Sequence, residues 1–426
     1  MQSSLEWRQA LIRNVTLKTL TWNPQTEPRD TFRYVDVSAI SRDTLEIDRA
    51  DEIVAATAPS RARKIIKNGD TIFATIRPSL KRVAQVPTSY DNEIASTAFC
   101  VLRPDTSVID PDFLYFIASS DAFVGEVASF ESGASYPAVR DSDIFDREIS
   151  LPLIPYQKDI ARVLHTVRTA MLHQVDSLAI AEELKRAAMR ELFTRGLRGE
   201  PQKETEIGLL PESWEPRTVL DLCEIQSGGT PRKSVAEYWI GDIPWASGKD
   251  LKVPTLHDTI DHVSQDGVEA GSRIAPADAV FILVRGMGLA KDLPIAVISR
   301  AMAFNQDLKA LVSRGEFSGT YIRSAIHCAK DRLLSRIVPS AHGTMTLNLD
   351  DVETFKIPCP SDPSEADEIV AILNALDRKI GLHRRKRKVL EDLFKSLLHK
   401  LMTGEIRVAD LDLSVLGKSP MEGVAA

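Results

Sequence analysis

Cysteine is scarce in this chain of 426 residues: there are four, Cys100, Cys223, Cys328 and Cys359, and no two form a CxxC pair. That excludes a disulfide framework and any strong zinc pattern, and it fits a reducing compartment. Long apolar runs are lacking too. No stretch approaches the ~18 apolar residues a membrane span needs, and the opening MQSSLEWRQALIRNV is polar where a signal peptide needs a continuous apolar core. A soluble, cytoplasmic protein with no membrane contact is expected. An excess of positive charge is also missing: 53 Lys and Arg stand against 60 Asp and Glu, a net of −7. This excludes a uniformly basic, nonspecific nucleic-acid binder. The 43% of residues that are hydrophobic suffice for two or more separate cores.

Catalytic signatures are absent as well. Gly241 to Lys249 comes near a P-loop, but six residues separate the glycines and Asp250 stands where the metal-binding hydroxyl belongs. Gly286 and Gly288 lack the third glycine and the acidic residue of a dinucleotide or AdoMet site, and read as a tight turn at a strand end. Asn23-Pro24-Gln25-Thr26 has no aromatic ring to stack on an extruded base. Asp242, Asp250 and Lys252 have roughly a nuclease spacing, a chance pattern in a chain so rich in Asp and Lys. His257 and His262 lie five apart in a polar loop, without the spacing of a helical metal pair. Nothing assembles a nucleophile, a base and an orienting group, so no catalytic residue and no metal site is assigned.

What the chain does have is an internal repeat. DIARVLHTVRTAM (Asp159 to Met171) lies on EIVAILNALDRKI (Glu368 to Ile380) at a constant offset of 209, and the match runs ungapped to LFTRGLR (Leu192 to Arg198) on LMTGEIR (Leu401 to Arg407). Both copies carry apolar spacings of four and three. The first runs Ile160, Leu164, Val167, Met171, Gln174, Leu178, Leu192; the second runs Ile369, Leu373, Leu376, Ile380, Arg387, Leu390, Phe394, Leu401. Each follows a proline-rich lead and ends near a glycine, Gly196 or Gly404. These read as two long helices whose apolar stripes cover each other as an antiparallel coiled coil. With Ile160 opposite Leu401, Gln174 falls opposite Arg387 as a polar pair within the seam; a parallel pairing puts Gln174 on His383 instead.

The repeats divide the chain into a first domain over 1–152, a helix over 153–200, a second domain over 201–357, a helix over 358–408 and a tail over 409–426. Faint similarity links the two domains: Trp7 and Trp214 near their starts, GDTIFATIR (Gly69 to Arg77) with ADAVFILVR (Ala277 to Arg285), and GASYPAVR with GTMTLNLD ahead of the proline leads. Short β-branched runs punctuated by Gly, Pro and Asp, with helices at Pro111 to Ser119 and Thr320 to His327, make each an α+β domain. The order domain, helix, domain, helix makes a pseudo-twofold arrangement the economical solution.

Charge is spread unevenly, and this matters more than its sum. From Arg61 to Arg82 there are seven cations and one acid, Asp70. Phosphates accept from Arg, Lys, hydroxyls and backbone NH groups, while base edges are read by Arg, Asn and Gln. Arg61, Arg63, Arg77, Ser79 and Lys81 supply such groups in the first domain, with Tyr34 as an added contact. In the second, QSGGTPRK offers Thr230, Arg232 and Lys233 beside paired glycines that let the backbone approach a phosphate. Ser247, Lys249, Arg285, Asn305 and Gln306 are further candidates. Singly, each reads more simply as a solvated side chain; the clusters carry the inference. HRRKRK (His383 to Lys388) lies on the second long helix and reads as a solvated face or partner surface.

The strings IPYQKDIARVL, ELFTRGLRG, KETEIGLLPESWE (Lys203 to Glu215), SGGTPRK with YWIGDIPWASGKDL (Ser227 to Leu251) and the closing LLHKLMTGEIRV span nearly the whole chain. Together they resemble the specificity subunit of a type I restriction-modification system. The resemblance implies two target-recognition domains, each reading one half of a bipartite double-stranded DNA target, with two conserved helices that set the spacer. It implies two modification (methyltransferase) subunits and restriction (motor nuclease) subunits as partners. This chain would be non-catalytic and bind no cofactor; AdoMet, ATP and Mg²⁺ would belong to the partner subunits. Ile160 to Leu192 would cover about 50 Å of helix. One departure stands out, since Gln157 of the first proline lead has Ala366 at its counterpart. Two other readings fit less of the chain: a self-sufficient methyltransferase or nuclease, and a scaffold with two protein-binding domains.

Overall fold

The computed structural model describes residues 7–23, 27, 29–133, 136–339 and 344–411. Pro24 to Thr26, two residues of GASYPAVR, Gly343 and the expected tail beyond Leu411 lie outside them. The chain forms two compact units, Met1–Ser177 with His383–Ala426, and Leu178–Leu382. Among the described residues no helix is long and apolar enough to cross a membrane.

Two long helices dominate: α1 (Ile154–Arg195) and α2 (Pro363–Met402). Proline sits in the first turn of each, where a missing N–H costs nothing. Gly196 (φ 60°) and Gly404 (φ 74°) follow their ends in the left-handed conformation that terminates a helix. The pairing is antiparallel: in the second unit Lys185 bonds Asp377 at 2.5 Å and Arg198 bonds Glu368 at 2.6 Å, so partner numbers fall along α2 as they rise along α1.

The register of the polar pair differs from the expected one. Gln174 meets His383 at 3.0 Å, and Arg387 instead bonds Glu391 on its own helix at 2.7 Å. An antiparallel pair of repeated helices brings repeat-mates together only at its middle, and these two, 209 apart, meet there. A slip of one turn keeps an apolar stripe facing its partner, so the stripe specifies the face and leaves the register open. Ile160, Leu164, Val167, Gln174, Leu192, Ile369, Leu373, Ile380, Leu390 and Leu401 are buried, and Met171, Leu178, Leu376, Arg387 and Phe394 half-buried.

The helices are not modules of their own, which departs from the expected domain division. Ile160, Leu164 and Val167 share a core with Phe113, Phe116, Leu390 and Leu401. Met189, Leu192 and Phe193 share another with Trp214, Tyr321, Ile369 and Leu373. The stripe therefore closes the neighbouring domain as well as the seam, and the division falls inside each helix.

Both units repeat one plan. In the first, an antiparallel sheet runs Thr16–Leu17, Phe99–Pro104, Thr71–Ala74, Val83–Gln85, beside a mixed sheet in which Thr31–Val35 lies parallel to Ile94–Ser96. In the second, Cys223–Ser227, Leu308–Ser313, Val280–Leu283 and Ile295–Ile298 pair in the same order, and Ile243–Ala246 lies parallel to Met302–Phe304. Thr71–Ala74 and Val280–Leu283 are 209 apart, as are Phe99–Pro104 and Leu308–Ser313. The domains thus carry the same offset as the helices. Arg8–Leu11 pairs with Glu148–Leu151 ahead of α1, and Glu215–Thr218 with Lys356–Cys359 ahead of α2.

The missing second glutamine has a structural answer. Buried Gln157 accepts from Asp110 N at 2.8 Å and donates to Pro152 O at 2.9 Å, tying α1 to the start of the helix Pro111–Ala118. In the second unit buried Glu365 serves instead, accepting from Leu197 N at 2.6 Å and from the Trp214 indole at 3.1 Å. Each long helix is fastened near its start by a different residue.

Candidate nucleic-acid interface

The basic segment of the first unit is less basic on its surface than in its sequence. Lys64 pairs with Asp141 at 2.5 Å, Lys81 with Asp121 at 2.6 Å, and Arg82 donates to the carbonyls of Val37 and Ile40. The one acid, Asp70, is 1% exposed and held by Arg103 at 2.7 Å. Burial pushes its carboxyl above the ordinary value, and the Arg103 hydrogen bonds oppose the shift. Arg61, Lys67, Arg77 and Ser79 are exposed, while Arg63 is half-buried with one guanidinium nitrogen on Ala62 O. The Tyr34 hydroxyl is buried, which raises its pKa and removes it from the candidate surface.

Arg77 and Lys81 bracket a 3₁₀ turn, Pro78–Leu80, and both adopt left-handed backbone angles, φ 49° and 54°. For residues with a side chain this conformation costs on the order of 1 kcal/mol or more each, and it persists only where the surroundings enforce it. The Arg77 guanidinium stands 5.5 Å from the centre of the Tyr136 ring, which belongs to the string GASYPAVR and is not among the candidates named from the sequence. No pattern marks Tyr136, because a lone exposed aromatic in an irregular string has no periodicity.

In the second unit the paired glycines serve the protein and not a phosphate. A Cβ on Gly228 would stand 2.3 Å from Phe304 O, and one on Gly229 2.2 Å from Gly271 O. The loop lies against backbone on both sides, so the expectation of an open phosphate cradle is corrected. We predict that Gly229→Ala lowers the melting temperature with no DNA present; an unchanged melt with impaired DNA binding would return the glycine to the ligand.

Thr230 donates to Gln306 at 2.6 Å, and Lys249 pairs with Asp261 at 2.7 Å, which raises the lysine's pKa. Buried Asn305 is a turn residue: its side-chain oxygen accepts from Asp307 N and Leu308 N, both at 3.2 Å, so it is removed from the base-reading candidates. Ser247 and Asp250 bond each other within a turn, with Asp250 also holding Ile260 N at 3.1 Å. That occupies the carboxylate of the nuclease-like string. Arg232, Lys233, Arg285 and Gln306 remain exposed. In HRRKRK, Lys388 pairs with Asp392 at 2.9 Å one turn away, as on a solvated helix face.

Among the described residues no group of three or more His, Cys, Asp or Glu side chains is placed to hold a metal ion. His257 bonds Ser299 at 2.9 Å and His262 bonds Asp258 at 2.9 Å, each separately. The thiols of Cys223 and Cys359 are pushed up to about 12 by burial, which keeps them protonated.

The family profile described as the type I restriction modification DNA specificity domain matches residues 23–177 and 211–392. The chain is 22% identical to the type I restriction enzyme HindI specificity subunit of Haemophilus influenzae, over 82% of this chain and 89% of that one. It is 28% identical to the EcoR124I/EcoR124II specificity subunit of Escherichia coli, over 43% and 48%. A solved chain described under complex assembly and conformational transition of the type I R-M system superposes with a TM-score of 0.59 at 27% identity, covering 94% of this chain and 98% of that one. The S subunit of a type I restriction-modification system from M. genitalium shares the fold, with a TM-score of 0.58 at 16% identity over 94% and 97%.

Proposed function

The chain belongs to the type I restriction-modification DNA specificity family, and from that premise we propose that it directs such a complex to a bipartite double-stranded DNA target without performing the chemistry. Each unit presents one copy of the same recognition domain, and each copy reads one half of the target. The paired helices set the distance between the halves and offer a surface to two modification subunits. AdoMet belongs to those subunits, and ATP and Mg²⁺ to restriction subunits where these join. The observation that carries this reading is the duplicated domain plan, in which strands Thr71–Ala74 and Val280–Leu283 keep the helices' offset of 209, with different exposed side chains on each copy.

The test is binding by the assembled complex to duplexes of varied sequence and spacing. One bipartite sequence should bind best, binding should weaken steeply with salt as counterions are released, and a spacer longer or shorter by one or two base pairs should abolish the preference. Spacer-independent binding would instead favour a scaffold. AdoMet binding by the isolated chain would revive the enzymatic alternative.

A further inference from the structure

In each unit the central strand, Thr71–Ala74 in the first and Val280–Leu283 in the second, runs out into a short 3₁₀ turn, Pro78–Leu80 and Met287–Ala290 respectively. The two turns hang from the same hydrogen-bonded frame. Thr75 N donates to Ala98 O at 2.8 Å and Val284 N to Asp307 O at 2.9 Å; Val139 N donates to Thr75 O and Leu347 N to Val284 O, both at 2.9 Å. At the turn itself Arg77 N donates to Pro137 O at 2.8 Å and Gly286 N to Met345 O at 2.9 Å. This makes Arg77 the structural mate of Gly286, one residue away from the Arg77 and Arg285 match that the sequence strings suggest. Each turn also sinks one side chain into its domain, Pro78 in the first and Leu289 in the second.

On this shared frame each tip keeps an exposed arginine, and the large side chains beside it differ. The first turn shows Arg77, Ser79 and Leu80, with Tyr136 beside them at 74% exposed and stacked by Arg77. The second shows Arg285, Lys291 and Met287 at 63% exposed. Each tip thus presents a combination of one exposed large side chain with cations: the Arg77 guanidinium over the Tyr136 ring in the first, and Met287 between Arg285 and Lys291 in sequence in the second. That combination suits the edge of a base pair, where an apolar group meets the thymine methyl and a guanidinium meets guanine O6 and N7. The left-handed Arg77 and Lys81 add a rigid tip, since strain of this kind survives only where the frame enforces it.

We propose that these two turns are the base-reading tips of the two domains, with Tyr136 setting specificity in one half-site and Met287 in the other. The inference rests on the reading of the chain as a DNA specificity subunit. A constant frame with exchangeable tips is what lets one duplicated domain recognise two different sequences.

The test uses the full chain assembled with its modification subunits, and measures modification of a duplex panel in which each base pair of the target is changed in turn. Tyr136→Ala should lose about tenfold of discrimination at one position of one half-site, and Met287→Ala the same in the other half. Tyr136→Phe should keep the wild-type preference at that position. Melting temperatures should match wild type, and Tyr136→Leu supplies a second variant that keeps bulk at the site. Uniform loss over all duplexes would make the turns phosphate contacts, and unchanged discrimination would make them bystanders; either result overturns the proposal. An unmutated complex with no sequence preference would overturn the underlying function instead, so the two failures are distinguishable.

Discussion

Arg103→Met is expected to destabilise the first unit by about 3–5 kcal/mol. Asp70 lies on the rim of the central strand at 1% exposure, and Arg103 holds it through two bonds, at 2.9 and 2.7 Å. Methionine keeps most of the aliphatic volume, so the loss is electrostatic: a buried carboxylate is left with Lys67 N as its remaining bonded donor. The effect has a definite pH signature. Burial already raises the Asp70 pKa above its unfolded value, and without the arginine it rises further. A raised native pKa means that the folded state holds the proton more tightly than the unfolded state. The associated stability is complete below the unfolded carboxyl range and is lost as pH climbs through the native value. The variant should therefore recover toward wild type on acidification from pH 7 to about 4. Denaturant midpoints across that range, followed by amide exchange in Thr71–Ala74, decide it. A deficit that is flat with pH would mean that packing and not the charge is lost, and Asp70→Asn in the same background should remove the pH dependence.

The same segment shows how much of the site the sequence carried. Seven cations lie between Arg61 and Arg82, but three of them have partners from distant stretches, Asp141, Asp121 and the carbonyls of Val37 and Ile40. Pairings over such separations leave no local pattern. The helices were legible because a stripe of period three and four records burial on one face, and the repeat was legible because its offset is constant over forty residues. Register was not, since Gln174 can reach His383 or Arg387 with the stripe still facing inward. The paired glycines misled for a related reason. Glycine records a close approach, but the sequence does not say whether a phosphate or, as at Gly228, the carbonyl of Phe304 is what approaches. Tyr136 and Met287 left no mark because exposed positions are free of the constraints that make a pattern.

Glu365→Leu carries the other large expected effect, a loss of about 2–6 kcal/mol confined to the second unit. The carboxylate is 2% exposed and accepts from two neutral donors, Leu197 N at 2.6 Å just past the end of α1 and the indole of fully buried Trp214 at 3.1 Å. Leucine fills the space but accepts nothing, so a backbone N–H and an indole N–H are both stranded away from water, at about 1–3 kcal/mol each. Gly196 adds a geometric constraint: a Cβ there would stand 2.7 Å from Glu365 Oε1, so the carboxylate fits only because the helix ends in glycine. Glu365→Gln keeps one acceptor oxygen and should recover part of the loss. If the junction is what Glu365 secures, Trp214 fluorescence should report an earlier transition in Glu365→Leu, while amide exchange in Thr71–Ala74 of the first unit stays at the wild-type rate. Equal weakening of both units would show that the carboxylate stabilises the chain by some route other than this junction.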